Sequence, residues 1–271
     1  VTIQTKVLPP SLRIRVGDQT PAATVRLSEP YGVLCSYPKS GNTWLRFLLS
    51  HVIRPGEIAN GADVQQTVPD IYVLKAKDLD KGAFSVIKSH EAFRPDYDRV
   101  VYLYRDPRDV AVSYFHHGKA TGAVDESLSL DGYSKLFVES GPISGNGFGN
   151  WGEHVGSWFG AKEDDPKFLP VSYEAMMNAP ESELSRIAHF LKIPASHEAI
   201  ETAVERASAA EMRRIEEAGD IGHKRGKHKF DENARFVRKA KAETWREELP
   251  PVAARRIEDA FGPSMEKLGY L

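Results

Sequence analysis

The chain has 271 residues, 41% of them hydrophobic and 27% charged, with a formal net charge of −2. That balance describes an ordinary folded globular chain; it excludes wholesale disorder and gives no global pull toward nucleic acid or an anionic membrane. A single cysteine, Cys35, excludes an internal disulfide framework and a cysteine-cluster zinc site.

Residues 1–30 read as an extended lead-in broken by Pro9, Pro10 and Pro21. They lack the contiguous apolar core of a secretory leader, and no later run approaches the ~18 apolar residues of a membrane span, so a cytoplasmic location is expected. The apolar run GVLCSY (32–37) predicts a strand, and TWLRFLLSHVI (43–53) predicts a helix entered through a tight turn. FSVIKS (84–89) and VVYLYR (100–105) are β-branched and aromatic runs suited to buried parallel strands. The second passes through RDPRD into a helical stretch over 110–117. KFLPVSY (167–173) predicts a fourth strand, with helices over EAMMNA and ESELSRIAHFLK behind it. Beyond Pro194 the chain is helical and charged, breaks at the basic HKRGKHK (223–229), and resumes over 250–268.

Strands alternating with helices predict an α/β fold: a single domain over 1–271 with a central parallel β-sheet flanked by helices. Mobile loops are expected over about 119–150, which includes the glycine-rich GPISGNGFGN, and over about 215–235. Ligands of such sheets bind outside the carboxyl ends of the strands, and the motifs below all fall at that edge.

YPKSGNTW (37–44) follows a strand and opens a helix. Lys39, Ser40, Gly41, Asn42 and Thr43 form a short turn whose backbone N–H groups face an anion at the positive end of a helix dipole. The turn is P-loop-like in placement, but its lysine precedes the glycine and it is too short to wrap a triphosphate. Arg105 ends the strand of YLYRDPRDVAVSYFHH (102–117), offering a planar fork for a phosphate, with Ser113 about two turns into the following helix. Pro107 suits the first helical turn, and Asp106 or Asp109 favours its start. VIKSH (86–90) sets Lys88 and His90 two residues apart, on one face of an extended chain, and a histidine titrates where a base for a hydroxyl proton should. Adjacent His116 and His117 point in different directions on a helix, so no metal is expected.

These segments together resemble the cytosolic PAPS-dependent sulfotransferases (PAPS, 3′-phosphoadenosine-5′-phosphosulfate), from about Tyr31 to Trp245 and with the motifs in the expected order. The resemblance implies transfer of a sulfuryl group from PAPS to a hydroxyl of a small acceptor, leaving PAP. It implies that Ser40, Gly41, Asn42 and Thr43 cradle the 5′-phosphate, that Lys39 meets the charge on the bridging oxygen, and that Trp44 stacks on adenine. Asn42 stands where many relatives carry threonine. Arg105 and Ser113 match the residues that bind the 3′-phosphate. FVRKAKAETW (236–245) is similar to the late basic segment that folds over that phosphate, giving Arg238 and Lys239, with Ala240 where glycine is usual. Tyr173 in VSYEAMM matches the tyrosine at the adenine edge. Lys-Ser-His matches the family's base segment, which makes His90 the general base and Lys88 a second stabiliser of the sulfuryl oxygens. WGEHVGSW (151–158) matches a packing pattern in which His154 is structural.

Four readings stay open: this sulfotransferase, a small-molecule kinase, a PAP- or PAPS-binding protein without transfer, and a sulfotransferase-like enzyme whose product eliminates to give net dehydration. Small hydroxylated or phenolic acceptors fit, and Tyr72, Phe93, Tyr133, Phe137 and Phe148 are candidates to line their pocket or to form core. HKRGKHK is either a solvated turn or part of a lid. No nucleic-acid or membrane partner is expected, and oligomeric state is open.

Overall fold

The computed structural model describes residues 11–14, 23–74, 84–141, 148–219, 239 and 241–271. Strands β2 (Ala23–Ser36), β3 (Phe84–Ser89), β4 (Val100–Tyr104) and β5 (Phe168–Ser172) lie parallel in the order β3–β2–β4–β5. β1 (Ser11–Ile14) pairs antiparallel with the first residues of β2, so part of the expected lead-in is sheet edge. The register of β2 with β3 shifts between Leu27 and Gly32, which separates the β1-paired part of β2 from its central part.

Side chains alternate across a strand, and here each alternation feeds a different core. Val33, Cys35, Ile87, Val100 and Tyr102 enter one cluster, which holds Tyr133, Phe137, Trp151, Trp158 and Phe261. Leu34, Val86, Val101, Leu103 and Val171 enter the other, with Leu45, Phe47, Leu48, Leu184 and Ile200. Both faces are covered, which is why these strands read as unbroken apolar runs rather than alternating ones.

The second cluster is closed by α1 (Asn42–Ile53), α2 (Gly61–Thr67), α6 (Tyr173–Asn178), α7 (Pro180–Phe190), α8 (His197–Arg206) and α9 (Ala209–Glu217). Helices α3 (Pro107–Thr121), α4 (Leu130–Ser140), α5 (Trp151–Lys162) and α11 (Pro251–Lys267) cover the first, beside the short α10 (Trp245–Glu248). α4 corrects the expectation of loop over 119–150. Ser129 caps it through the Gly132 N–H, and buried Tyr133 and Phe137, four residues apart, anchor it; Phe137 meets Phe261 of α11 edge-on. Among the described residues no helix is long and apolar enough to cross a membrane.

The start of α3 fastens the C-terminal part of the chain. Asp106 caps the helix, accepting the Arg108 N–H at 2.8 Å, with Pro107 in the first turn. Asp109 does something else. It is fully buried and accepts from Arg105 (3.2 Å), from the Glu243 and Trp245 N–H groups (2.8 and 2.9 Å) and from the Thr244 hydroxyl (2.9 Å). Arg108 grips the same region through Glu258, the Tyr270 carbonyl and the face of Trp245. Replacing a carboxylate that accepts from four donors takes a partner at once from the Arg105 guanidinium, the Thr244 hydroxyl and two backbone N–H groups. Asp109→Ala is therefore expected to cost about 3 kcal/mol of stability, read by urea denaturation.

Candidate active site

Four of the sequence-predicted site segments lie where a parallel strand ends. β3 runs into His90, β2 into the turn carrying Lys39 to Gly41, β4 into Arg105 and β5 into Tyr173. Neighbouring strands lie about 4.8 Å apart, so the order β3–β2–β4–β5 sets these groups side by side, with the turn between His90 and Arg105. Sheet order, not chain order, makes the site.

The turn is built for close approach to an anion. Gly41 is the N-cap of α1 with φ 98°, and no side chain caps that helix, so its leading N–H groups are not taken by a cap. A Cβ at Gly41 would stand 2.5 Å from the Tyr173 ring. Lys39 also has positive φ, 69°, a conformation that a lysine adopts only when its surroundings hold it there. The Ser40 hydroxyl and the Asn42 carbonyl oxygen are buried with no hydrogen-bond partner among the described residues. Thr43 is half-buried beside them.

Tyr173 joins this turn to the second basic position. Its ring meets Trp44 edge-on at 6.0 Å, while the Arg105 guanidinium lies 4.2 Å from the ring centroid. The Trp44 indole N–H donates to the Ala207 carbonyl at 2.9 Å, which sets the ring's orientation. Arg105 is held by Asp109 and by the Lys241 carbonyl, both at 3.2 Å, while its Nε is buried without a partner among the described residues. Ser113 stands half-buried about two turns along α3. Lys239 is engaged with Glu247 (2.7 Å) and Glu248 (2.9 Å), so holding a phosphate there means exchanging those partners. Arg238, Ala240 and the basic loop 223–229 lie outside the described residues.

On the other side of the turn, His90 Nδ1 is 2.7 Å from the Ser36 carbonyl. A carbonyl only accepts, so Nδ1 carries the proton and Nε2 the lone pair. Burial, with the Lys88 ammonium adding to it, holds the imidazole well below its usual pKa, so it is neutral near pH 7. The Ser36 hydroxyl also accepts from the Asn42 amide at 2.9 Å, which ties the histidine to the first residue of α1. Tyr72 stacks on the His90 ring at 6.1 Å and its hydroxyl accepts the His90 N–H at 3.0 Å; Phe148 meets both rings edge-on. Lys88 donates to Asp70 at 2.8 Å and lies 4.9 Å from the Tyr72 ring centroid, so Lys88 and His90 share one aromatic neighbour.

His154 is fully buried, accepts from the Tyr102 hydroxyl at 2.8 Å and donates to the His90 carbonyl at 2.9 Å. Burial lowers its pKa to about 4, and it is the satisfied structural histidine that was expected. His116 pairs with Glu248 at 2.6 Å. Of the five aromatic candidates, Tyr72 and Phe148 lie against His90, Phe93 packs on Trp158, and Tyr133 and Phe137 are core. Sequence reasoning missed Ser36, Asp70 and the tethering role of Asp109. The serine precedes the turn by one residue more than the motif, and Asp70 sits in a segment that matched nothing, flagged only by the Pro69 break before Ile71 and Tyr72.

Four adjacent strand ends thus gather an uncapped helix start, a fixed arginine and a neutral histidine at one edge of the sheet, where ligands of parallel sheets bind. The sulfotransferase domain family matches residues 30–269, and the chain belongs to that family. Sulfotransferase 1B1 of Mus musculus is 29% identical over 198 residues, 67% of this chain and 64% of that relative, so the matched stretch spans just under two thirds of its length. The amine sulfotransferase of Oryctolagus cuniculus is 25% identical over 249 residues, covering 85% and 79% of the two chains. Mouse sulfotransferase SULT7A1, solved with PAP, shares the fold with a TM-score of 0.68 at 22% identity, covering 89% of this chain and 85% of that one.

The contact between Gly41 and Tyr173 is testable. Gly41→Ala combines a disfavoured φ with a ring clash, so a loss of about 2 kcal/mol is expected by thermal denaturation. The same substitution in a Tyr173→Ala chain should cost less, because only the backbone strain remains.

Proposed function

We propose that the chain transfers a sulfuryl group from PAPS to a hydroxyl of a small acceptor, giving a sulfate ester and PAP. The observation that carries this is the 2.7 Å bond from His90 Nδ1 to Ser36, which leaves a neutral imidazole with a free Nε2 lone pair at the foot of an anion-binding turn. PAPS supplies an activated sulfuryl group between two phosphorylated ends. The residues fit such a donor: the start of α1 has no side-chain cap, and Ser40 and Arg105 carry buried polar atoms without a partner among the described residues. Ser40, Gly41, Asn42 and Thr43 hold the 5′ end, Trp44 and Tyr173 the adenine, and Arg105, Ser113, Arg238 and Lys239 the 3′-phosphate.

His90 Nε2 takes the proton of the acceptor hydroxyl as its oxygen attacks sulfur, an in-line displacement. Lys39 and the N–H groups of the turn meet the negative charge that collects on the departing phosphate oxygen, and Lys88 steadies the sulfuryl oxygens. Fixing these groups on strand ends and a helix start supplies position and preorganised charge at no cost during the reaction. Tyr72 and Phe148 beside the base favour a small hydroxylated or phenolic acceptor. The reading treats 1–271 as one domain acting in the cytoplasm.

Labelled PAPS incubated with a panel of hydroxylated acceptors should yield products heavier by one sulfuryl group. Products lighter by one water would instead mean elimination. His90→Ala should lower turnover by at least about a hundredfold while calorimetry finds PAP binding unchanged, and ATP should not bind. A catalyst needing His90 neutral and Lys88 charged works above the first pKa and below the second. The kcat/KM profile should therefore keep its acid limb well under 6.5 and fall at the alkaline side near 8.

A further inference from the structure

The segment 69–72 runs beside β3 as a short parallel bridge. Lys88 N–H donates to the Pro69 carbonyl at 2.8 Å, Ile71 N–H to the Lys88 carbonyl at 3.2 Å, and Asp70 and Lys88 are bridge partners. The carboxylate of Asp70 is used on both oxygens. Oδ1 accepts the Tyr72 N–H at 3.0 Å and Oδ2 accepts the Lys88 ammonium at 2.8 Å. Its backbone is held in turn by Gln65, which accepts the Asp70 N–H at 3.0 Å and donates to the Asp70 carbonyl at 3.2 Å. Gln65 is itself fixed by Arg46 of α1 at 2.8 Å, and Arg46 also donates to the Val68 carbonyl. The pair is secluded, with side-chain exposures of 7% for Lys88 and 13% for Asp70.

We propose that Asp70 is a positioning residue for the transfer: through its ion pair it keeps the Lys88 ammonium charged and aimed beside His90, while the turn it closes sets Tyr72 against the base. The proposal rests on the reading of Lys88 as a stabiliser of the sulfuryl oxygens. An ammonium in so dry a place is costly to keep without a counter-ion. The ionisable groups facing Lys88 are Asp70 and Tyr72 of this segment, Arg46 of α1, Cys35 of β2 and His90 after β3. Of these, Arg46 disfavours the charged lysine, and the ionised Asp70 is its direct hydrogen-bonded support. Burial pushes Lys88 down to about 8, with Asp70 opposing that fall. For Asp70, burial acts upward, but Lys88 and then Arg46 bring it down to about 2, so it is ionised throughout the working range.

Asp70→Asn keeps an oxygen for the Tyr72 N–H and removes the charge. Relative to the parent, the alkaline limb should move down by about one pH unit, so that kcat/KM near the lysine's pKa of about 8 falls about fivefold. PAP affinity should stay within about twofold. Adding Lys88→Arg to Asp70→Asn should abolish that limb, since a guanidinium does not titrate there. Carbon-13 NMR of lysine Cε reads the Lys88 titration without any turnover, and its midpoint should drop in Asp70→Asn. An unmoved midpoint, or a loss of activity equal at every pH and accompanied by loss of PAP binding, overturns the assignment. If the parent transfers nothing from PAPS, the proposed function fails, while the lysine titration still decides whether Asp70 governs Lys88.

Discussion

The hydrogen bond from His90 Nδ1 to the Ser36 carbonyl is the constraint on which the site depends. It joins the end of β3 to the end of β2, fixes one tautomer of the imidazole, and leaves the other nitrogen free to accept a proton. The same serine uses its hydroxyl to accept from Asn42, so His90 and the start of α1 share a residue. Such an arrangement requires two adjacent parallel strands ending at the same level. A slip of the β2–β3 register would part them, and the Val33–Ile87 and Cys35–Ser89 pairings hold that register in the core.

Around this node the charges are paired within the protein. Asp70 serves Lys88 on one side of the turn, and Asp109 serves Arg105 on the other. Both carboxylates are also tied to backbone N–H groups, Asp70 to Tyr72 and Asp109 to Glu243 and Trp245. Each therefore orients a cation and closes a turn at once. A weakly acidic chain can in this way present local positive charge at one edge of its sheet, because a fixed cation near a helix start matters more there than the sum over the surface. The aromatic rings complete the arrangement. Tyr173 packs between the turn, Trp44 and Arg105, and Tyr72 touches both Lys88 and His90.

The family match through residue 269 extends past the motif-bearing part of the sequence, which ended at Trp245. The structure gives the physical reason for that extension. α11 closes the first core through Ile257, Phe261 and Met265, and Arg108, two residues after the strand-end aspartate, holds Glu258 and the Tyr270 carbonyl. The last helix is thus fastened to the same strand end that supplies Arg105.

The sequence by itself determined the α/β class, the four parallel strands and the residues at their ends, because apolar runs buried on both faces and helix-opening turns are local signals. GVLCSY, FSVIKS, VVYLYR and KFLPVSY each became a parallel strand, and β3 matched its expected limits at 84–89. What failed locally was α4, whose Tyr133 and Phe137 gain their meaning only from the core they fill against Phe261. Only the tertiary structure decided that β2 sits between β3 and β4, which sets the turn between His90 and Arg105, and that Asp70 and Asp109 are the partners of Lys88 and Arg105. Strand order and charge pairing across 18 residues, or between α3 and a tail 134 to 136 residues away, are long-range contacts. They arise from the packing of whole elements, and no spacing within a short motif encodes them.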